Sequence, residues 1–156
     1  LKYTPEVLRA GVLIQNALNY YQEFARSKEI DIIAEVENEF EFTGDKNMLE
    51  SVLRNLLSNA IKFSKRQGKI HIVATLNSEH VQFSVSDNGV GISADVQKEL
   101  FLSNYISTTL GTEQEHGTGL GLFLCKEFVQ LHDGSISVSS EPGRGTTFIV
   151  SIPIIH

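Results

Sequence analysis

The chain has 156 residues, enough for one domain with a core of its own, and its 41% hydrophobic and 21% charged content is ordinary for a globular protein. Thirteen Lys and Arg against nineteen Asp and Glu leave a net charge of −6, so the clustered positive excess of a nucleic-acid surface is missing. No apolar run is long enough to span a membrane, and the single cysteine, Cys125, excludes an intrachain disulfide. These features predict a cytoplasmic, reducing setting without direct membrane contact by this domain, whether or not the parent protein carries an anchor elsewhere. Cys125 lies in an apolar helical run, where a thiol serves as a small buried hydrophobe. Leu1 in place of Met is what a piece of a longer protein would show.

Thr4-Pro5-Glu6 reads as a helix start, with a capping hydroxyl, a first-turn proline and an acid near the dipole. Leu8, Val12, Leu18, Tyr21 and Ala25 follow at mostly helical spacing. Residues 30–36 and 40–43 read as short strands, and Asp45 can cap a long helix running to about Phe63. Residues 69–75 and 81–85 alternate as paired strands about an Asn77-Ser78-Glu79-His80 turn, with His71 on the strand surface. Ser93 can cap a short helix through Phe101. Residues 102–118 are polar and aperiodic, long for a loop in a compact domain, as lids are. A helix from about Leu120 to Leu131 ends at His132-Asp133-Gly134, where His132 would complement the helix dipole. Residues 135–140 and 146–152 form a last hairpin. With no repeat or linker, residues 1–156 make one α+β domain. The expected architecture is a two-layer sandwich, a mixed or mostly antiparallel sheet with helices on one face.

Four places carry chemistry. On the helix over residues 46–63, Leu49, Val52, Leu53, Leu56, Leu57 and Ala60 share the face that must pack on the sheet. Asn55, Asn59 and Lys62 fall in a separate sector about 60° wide. An amide oxygen is a hard ligand suited to Mg²⁺, a lysine one turn on can meet a phosphate, and Asn is disfavoured inside helices. A solvated polar face would account for the stripe taken alone. Asp87-Asn88-Gly89-Val90-Gly91 ends a strand. Its glycines permit close backbone approach, and its carboxylate can accept from an exocyclic amine, although a plain turn has the same look.

The glycines at 117–121 stand where a polar loop becomes a helix, a place where free N–H groups and the dipole favour phosphate. They match neither a Walker P-loop, which needs Gly-Lys-Ser/Thr, nor a Rossmann fingerprint, since Phe123-Leu124 stand where its third glycine belongs. Gly143-Arg144-Gly145-Thr146 closes the last hairpin.

Together and in this order, these segments resemble the sensor histidine kinases. Asn55-Leu56-Leu57-Ser58-Asn59-Ala60-Ile61-Lys62-Phe63-Ser64 is similar to their N box and Asp87-x-Gly89-x-Gly91 to the G1 box. Gly117-Thr118-Gly119-Leu120-Gly121-Leu122 is similar to the G2 box, and Gly143-x-Gly145-Thr146 to the later glycine motif. The resemblance implies the Bergerat fold and a site for ATP and Mg²⁺. It implies that Asn59 holds the metal with Asn55 beside it, that Lys62 meets phosphate, and that Phe63 lies along the adenine. Asp87 would receive the adenine amine with support from Thr146, and Gly89, Gly91 and Ile92 would line the base. Residues 102–118 would form the ATP lid, flanked by Phe101 and Tyr105, with Gly117, Thr118, Gly119, Leu120, Gly121 and Leu122 wrapping the phosphates. The family's F box reads Phe-x-Pro-Phe, whereas here it is Phe101-Leu102-Ser103-Asn104-Tyr105. That departure bears on lid docking and on contact with the phosphate-accepting domain rather than on nucleotide binding.

The same resemblance implies a limit. Hydrolytic relatives activate water with a glutamate one turn before the metal asparagine, and Asn55 stands there. The kinase acceptor is a histidine in a pattern like His-Glu-x-Arg/Lys-Thr-Pro on a separate dimerisation domain, and His71, His80, His116, His132 and His156 do not sit in one. The implied activity is donation of the ATP γ-phosphate to that dimerisation domain, N-terminal in the parent, with a response regulator downstream. A water-hydrolysing ATPase and a non-catalytic nucleotide-binding interaction module are the alternatives. The isolated chain is expected to bind ATP without phosphorylating itself.

Overall fold

The computed structural model describes residues 2–102 and 121–155. Strand β1 (Glu6–Arg9) leads into helix α1 (Ala10–Ser27), followed by β2 (Asp31–Val36), β3 (Glu41–Gly44) and helix α2 (Lys46–Phe63). Strands β4 (Lys69–Leu76) and β5 (His80–Asp87), the short α3 (Ala94–Gln97), α4 (Gly121–Leu131), β6 (Ser135–Glu141) and β7 (Gly145–Pro153) complete the chain.

The main sheet runs β2-β4-β5-β7-β6, parallel between β2 and β4 and antiparallel elsewhere. Its inner rows are built by register. Ile72, Val85, Phe148 and Val138 lie side by side across four strands, and so do Ala74, Phe83, Val150 and Ile136. Against them α2 buries Leu49, Val52, Leu53, Leu56, Leu57 and Ala60, the face its periodicity predicts. The opposite sheet face carries His71, Thr75, Ser135, Ser137 and Ser139, and among the described residues no helix packs over it, giving the expected two layers. Asp45 caps α2 as expected, its Oδ1 accepting from the Met48 N–H at 3.0 Å. Cys125 is fully buried beneath α2, and burial pushes its thiol up to about 12.

Several local expectations change. Residues 6–9 are a strand, not the first turn of α1: β1 pairs antiparallel with β3, with Leu8 opposite Phe42 in a separate two-stranded sheet. The long-range ladder outcompetes the local helix signal because it buries Leu8 beside Phe42 while pairing the backbone. Thr4 therefore caps nothing; its N–H donates to Asp45 Oδ2 at 2.8 Å. The α1 terminus is satisfied instead by Glu39 Oε1, which accepts from Gly11 N–H, and by the Phe40 carbonyl, which accepts from Ala10 N–H. With α1 starting at Ala10, its buried face is Ala10, Leu13, Ile14, Ala17 and Ala25, and Val12 is exposed. The helix capped by Ser93 stops at Gln97 and continues as turns to Phe101.

His132 is buried, and its ring joins the end of α4 to the start of α2. Asp45 N–H can only donate, so His132 Nε2 accepts at 2.9 Å, and Nδ1–H donates to the Phe128 carbonyl at 2.8 Å. The expected helix-end residue thus serves a carbonyl in the last turn of α4 and at the same time reaches the start of α2.

Candidate functional site

The C-terminal half of α2 forms one wall. Asn55 and Asn59 are half-buried, and Asn55 Nδ2 donates back to the Ser51 carbonyl at 2.9 Å, which fixes its amide on the helix surface. Lys62 is buried, with its ammonium 4.8 Å from the centre of the Phe63 ring. The last turn of α2 is held by Lys28, whose Nζ donates to the carbonyls of Ile61 at 2.9 Å and Lys62 at 3.1 Å.

The loop after β5 forms the floor. Asp87 Oδ1 accepts from Gly89 N–H at 2.8 Å, a tight side-chain turn. Val90 N–H then donates to the Phe63 carbonyl at 3.2 Å, docking the loop on the end of α2. A side chain at Gly89 would collide with the Phe63 carbonyl, and one at Gly91, where φ is +76°, with the Glu141 carbonyl. Gly143 N–H donates to the Val90 carbonyl at 2.8 Å, and Asn88 Oδ1 accepts from Lys69 N–H at 2.9 Å. The loop is thus tied to α2, to β4 and to the β6–β7 hairpin.

Register sets the chemistry of the back wall. Ile70, Asp87, Thr146 and Ser140 are cross-strand partners in one row across β4, β5, β7 and β6, next to the inner row that holds Val85 and Phe148. Asp87 therefore points to the helix side of the sheet, where a hydrophobe would ordinarily be. Burial raises its carboxyl above the usual carboxylate value, although the N–H groups of Gly89 and Thr146 pull the other way. Thr146 is buried, with Oγ1 2.8 Å from Ser140 Oγ. Phe101 packs edge-on against Phe148 at 6.3 Å between centroids, and Ile92 and Leu122 are half-buried against the core.

The third wall is the start of α4. Gly121 comes so near α2 that an added Cβ would lie 2.6 Å from Asn55 Oδ1. Contacts of backbone and side chain thus bring Phe63, Asp87, Gly89, Gly91, Ile92 and Thr146 together at one end of the sheet, while Asn55 meets Gly121 two turns earlier on α2, with Asn59 and Lys62 on the same stripe. Tyr105, Gly117, Thr118, Gly119 and Leu120, with all of the expected lid but Leu102, lie outside the described residues.

Ser140 and Gln97 were not among the residues expected here. Gln97 Nε2 donates to the carbonyls of Ile92 at 2.7 Å and Ser140 at 3.0 Å. The available signal was Ser140 itself, a hydroxyl at the inward position of β6 that follows Ile136 and Val138 at spacing two.

The chain matches the family model described as histidine kinase-, DNA gyrase B- and HSP90-like ATPase over residues 44–156. It belongs to that ATPase family. Among its histidine-kinase relatives is the circadian input-output histidine kinase CikA of Synechococcus elongatus, 40% identical over 90% of this chain and 19% of CikA. This histidine-kinase-like ATPase domain thus spans about a fifth of that relative's length. The catalytic domain of the histidine kinase ThkA superposes with a TM-score of 0.84 at 29% identity, covering 99% of this chain and 97% of that one. A second ThkA structure, in complex with the response regulator TrrA, gives 0.82 at 25% identity over 98% of this chain and 42% of ThkA. The domain has the architecture of the histidine-kinase catalytic domains it matches.

Proposed function

We propose that this domain binds Mg-ATP between α2, the loop after β5 and the start of α4, and donates the γ-phosphate to a histidine on a separate dimerisation domain. From there the phosphate passes to a response regulator, the kind of partner with which ThkA was crystallised. The observation that carries the reading is the convergence of three differently suited walls: hard amides and a lysine on α2, an inward carboxylate at Asp87, and a helix start at Gly121.

The donor set suits the ligands. Asp87 accepts and so would take an exocyclic amine, with Thr146 beside it; Phe63, Gly89, Gly91 and Ile92 would line the base, and Lys62 would meet phosphate. Asn59, with Asn55 one turn before it, would hold Mg²⁺, which would supply positive charge against that of the phosphates. Phe101 and Tyr105 would flank the lid of residues 102–118, and Gly117, Thr118, Gly119, Leu120, Gly121 and Leu122 would wrap the phosphates. Asn55 is an amide that donates to the Ser51 carbonyl, not a carboxylate, so this position of α2 supplies no base for water. Among the described residues no helix is long and apolar enough to cross a membrane; the cytoplasmic setting is part of the proposal, since that is where ATP is available as phosphate donor.

The test is a calorimetric titration with Mg-ATP followed by labelled γ-phosphate transfer. The expected result is binding by the isolated chain, no self-labelling, and labelling of a histidine once the dimerisation domain is joined. Steady phosphate release by the isolated chain would favour a water-hydrolysing ATPase. Binding without transfer in the joined protein would favour a non-catalytic nucleotide-binding module.

A further inference from the structure

Ser140 occupies the inward position of edge strand β6 at the end of the row Asp87–Thr146–Ser140. Its hydroxyl makes three contacts. Ile92 N–H donates to Ser140 Oγ at 2.7 Å, Oγ donates to the Gly145 carbonyl at 2.9 Å, and Thr146 Oγ1 lies 2.8 Å away. A serine hydroxyl has one proton and two acceptor positions. A carbonyl can only accept, so the serine proton goes to Gly145. Ile92 N–H can only donate and takes one acceptor position. The remaining contact is then filled by Thr146, whose own proton must point at Ser140 Oγ.

The consequence falls on Thr146. With its proton committed, the buried Thr146 hydroxyl can offer its surroundings only acceptor positions, and its row neighbour Asp87 offers carboxylate oxygens. Gln97 reinforces the arrangement, since both protons of its amide nitrogen are used on the carbonyls of Ile92 and Ser140.

We propose that Ser140 is a positioning residue for base selection: by fixing the Thr146 proton it makes Asp87 and Thr146 a purely accepting pair. Such a pair takes a base with an amine at the recognised edge, as adenine has, and rejects one with a carbonyl oxygen there, as guanine has. This rests on the adenine-nucleotide reading above. Without Ser140, the Thr146 proton is free to turn toward the base and the discrimination relaxes.

The experiment measures calorimetric affinities of wild type, Ser140→Ala, Ser140→Thr and Ser140→Cys for the Mg²⁺ complexes of ATP, GTP and purine riboside triphosphate, which lacks the amine. Ser140→Ala is expected to weaken ATP about tenfold while changing purine riboside triphosphate less than about threefold, so that the preference for the amine shrinks. Its ATP-to-GTP preference should fall by a similar factor, and Ser140→Thr, which keeps the hydroxyl, should restore both ratios. If Ser140→Ala does not fold, Ser140→Cys keeps the volume with a weaker donor and acceptor and should give an intermediate loss of preference. Equal weakening of all three nucleotides, or unchanged ratios in the folded variants, overturns the role. A wild type that does not bind ATP overturns the nucleotide reading itself, and the role with it.

Discussion

Gly121 begins the last helix hard against Asn55: a methyl on its Cα would stand 2.6 Å from the Asn55 amide oxygen. Two walls of the site meet at this point, and the glycine is what permits the approach. Gly121→Ala should therefore separate binding from stability. Alanine gains up to about 1 kcal/mol of helix propensity over glycine, which offsets the crowding, so the melting temperature should stay within about 4 °C of wild type. Displacing the Asn55 amide or the start of α4 should still weaken Mg-ATP about tenfold. A variant that binds ATP as wild type does would show that this contact has no part in the site.

Asn59 shares its stripe with Asn55 and Lys62 but sits apart from the buried face of α2. Removing its amide should cost the fold little, since alanine is the better helix former. Asn59→Ala is expected to keep its melting temperature and lose about tenfold or more of the affinity gained on adding Mg²⁺, while metal-free ATP binding changes little. Titrations with and without Mg²⁺ in EDTA-treated buffer check this. Unfolding of the variant, with binding lost only as a consequence, would make Asn59 a structural residue.

The contrast between these two positions shows what could be read without coordinates. The α2 stripe was legible because helical periodicity assigns every position to a face, and Asp45 announces where counting starts. The two hairpins were legible because their strands are long enough to alternate, whereas the sheet order and the inward aim of Asp87 depend on pairing between strands distant in sequence. The start of the chain was not legible, because Thr4-Pro5-Glu6 satisfies helix-start chemistry locally while Leu8 opposite Phe42 is settled by a partner 34 residues away. Ser140 escaped for a similar reason. Nothing in a serine near a hairpin tells which neighbours its hydroxyl will meet, and its three partners come from two separate segments, the loop after β5 and the start of β7. Gln97 and Lys28 likewise act on backbone carbonyls, which carry no sequence signal at the receiving end.

Asp87 carries a conflict between function and stability. Burial raises its carboxyl above the usual carboxylate value, against the N–H groups of Gly89 and Thr146. The sign follows from linkage: a raised acid is fully tolerated when protonated in both states and costs stability as pH climbs through the unfolded value to the raised folded one. Asp87→Asn keeps an acceptor for Gly89 N–H while removing the charge. Its melting temperature should match wild type near pH 3.5 and equal or exceed it near pH 7, while ATP affinity falls more than about tenfold because the amide presents a donor to the base. Melting curves across that pH range, paired with titrations, decide it. A variant less stable than wild type at neutral pH and equal at acid pH would reverse the sign and show the charged form to be favoured in the fold.

His132 offers the opposite case, a buried polar group far along the chain from the site motifs on α2. Its Nε2 is the acceptor for Asp45 N–H at the start of α2, its Nδ1–H donates to Phe128 at the end of α4, and the Tyr3 ring packs edge-on at 4.8 Å. His132→Leu fills much of the volume but leaves Asp45 N–H without its acceptor in a buried place, a loss of about 1 to 3 kcal/mol. For a chain of this size that corresponds to a fall of roughly 3 to 10 °C in melting temperature. Because the ring touches the end of α2 opposite Lys62 and Phe63, the folded variant should bind Mg-ATP within about twofold of wild type at 15 °C. Hydrogen exchange at the first turn of α2 should quicken in the variant, with the last turn, held by Lys28, protected as before. Loss of ATP affinity without loss of stability would be the contrary outcome, placing His132 in the path between the two helices rather than at a structural joint.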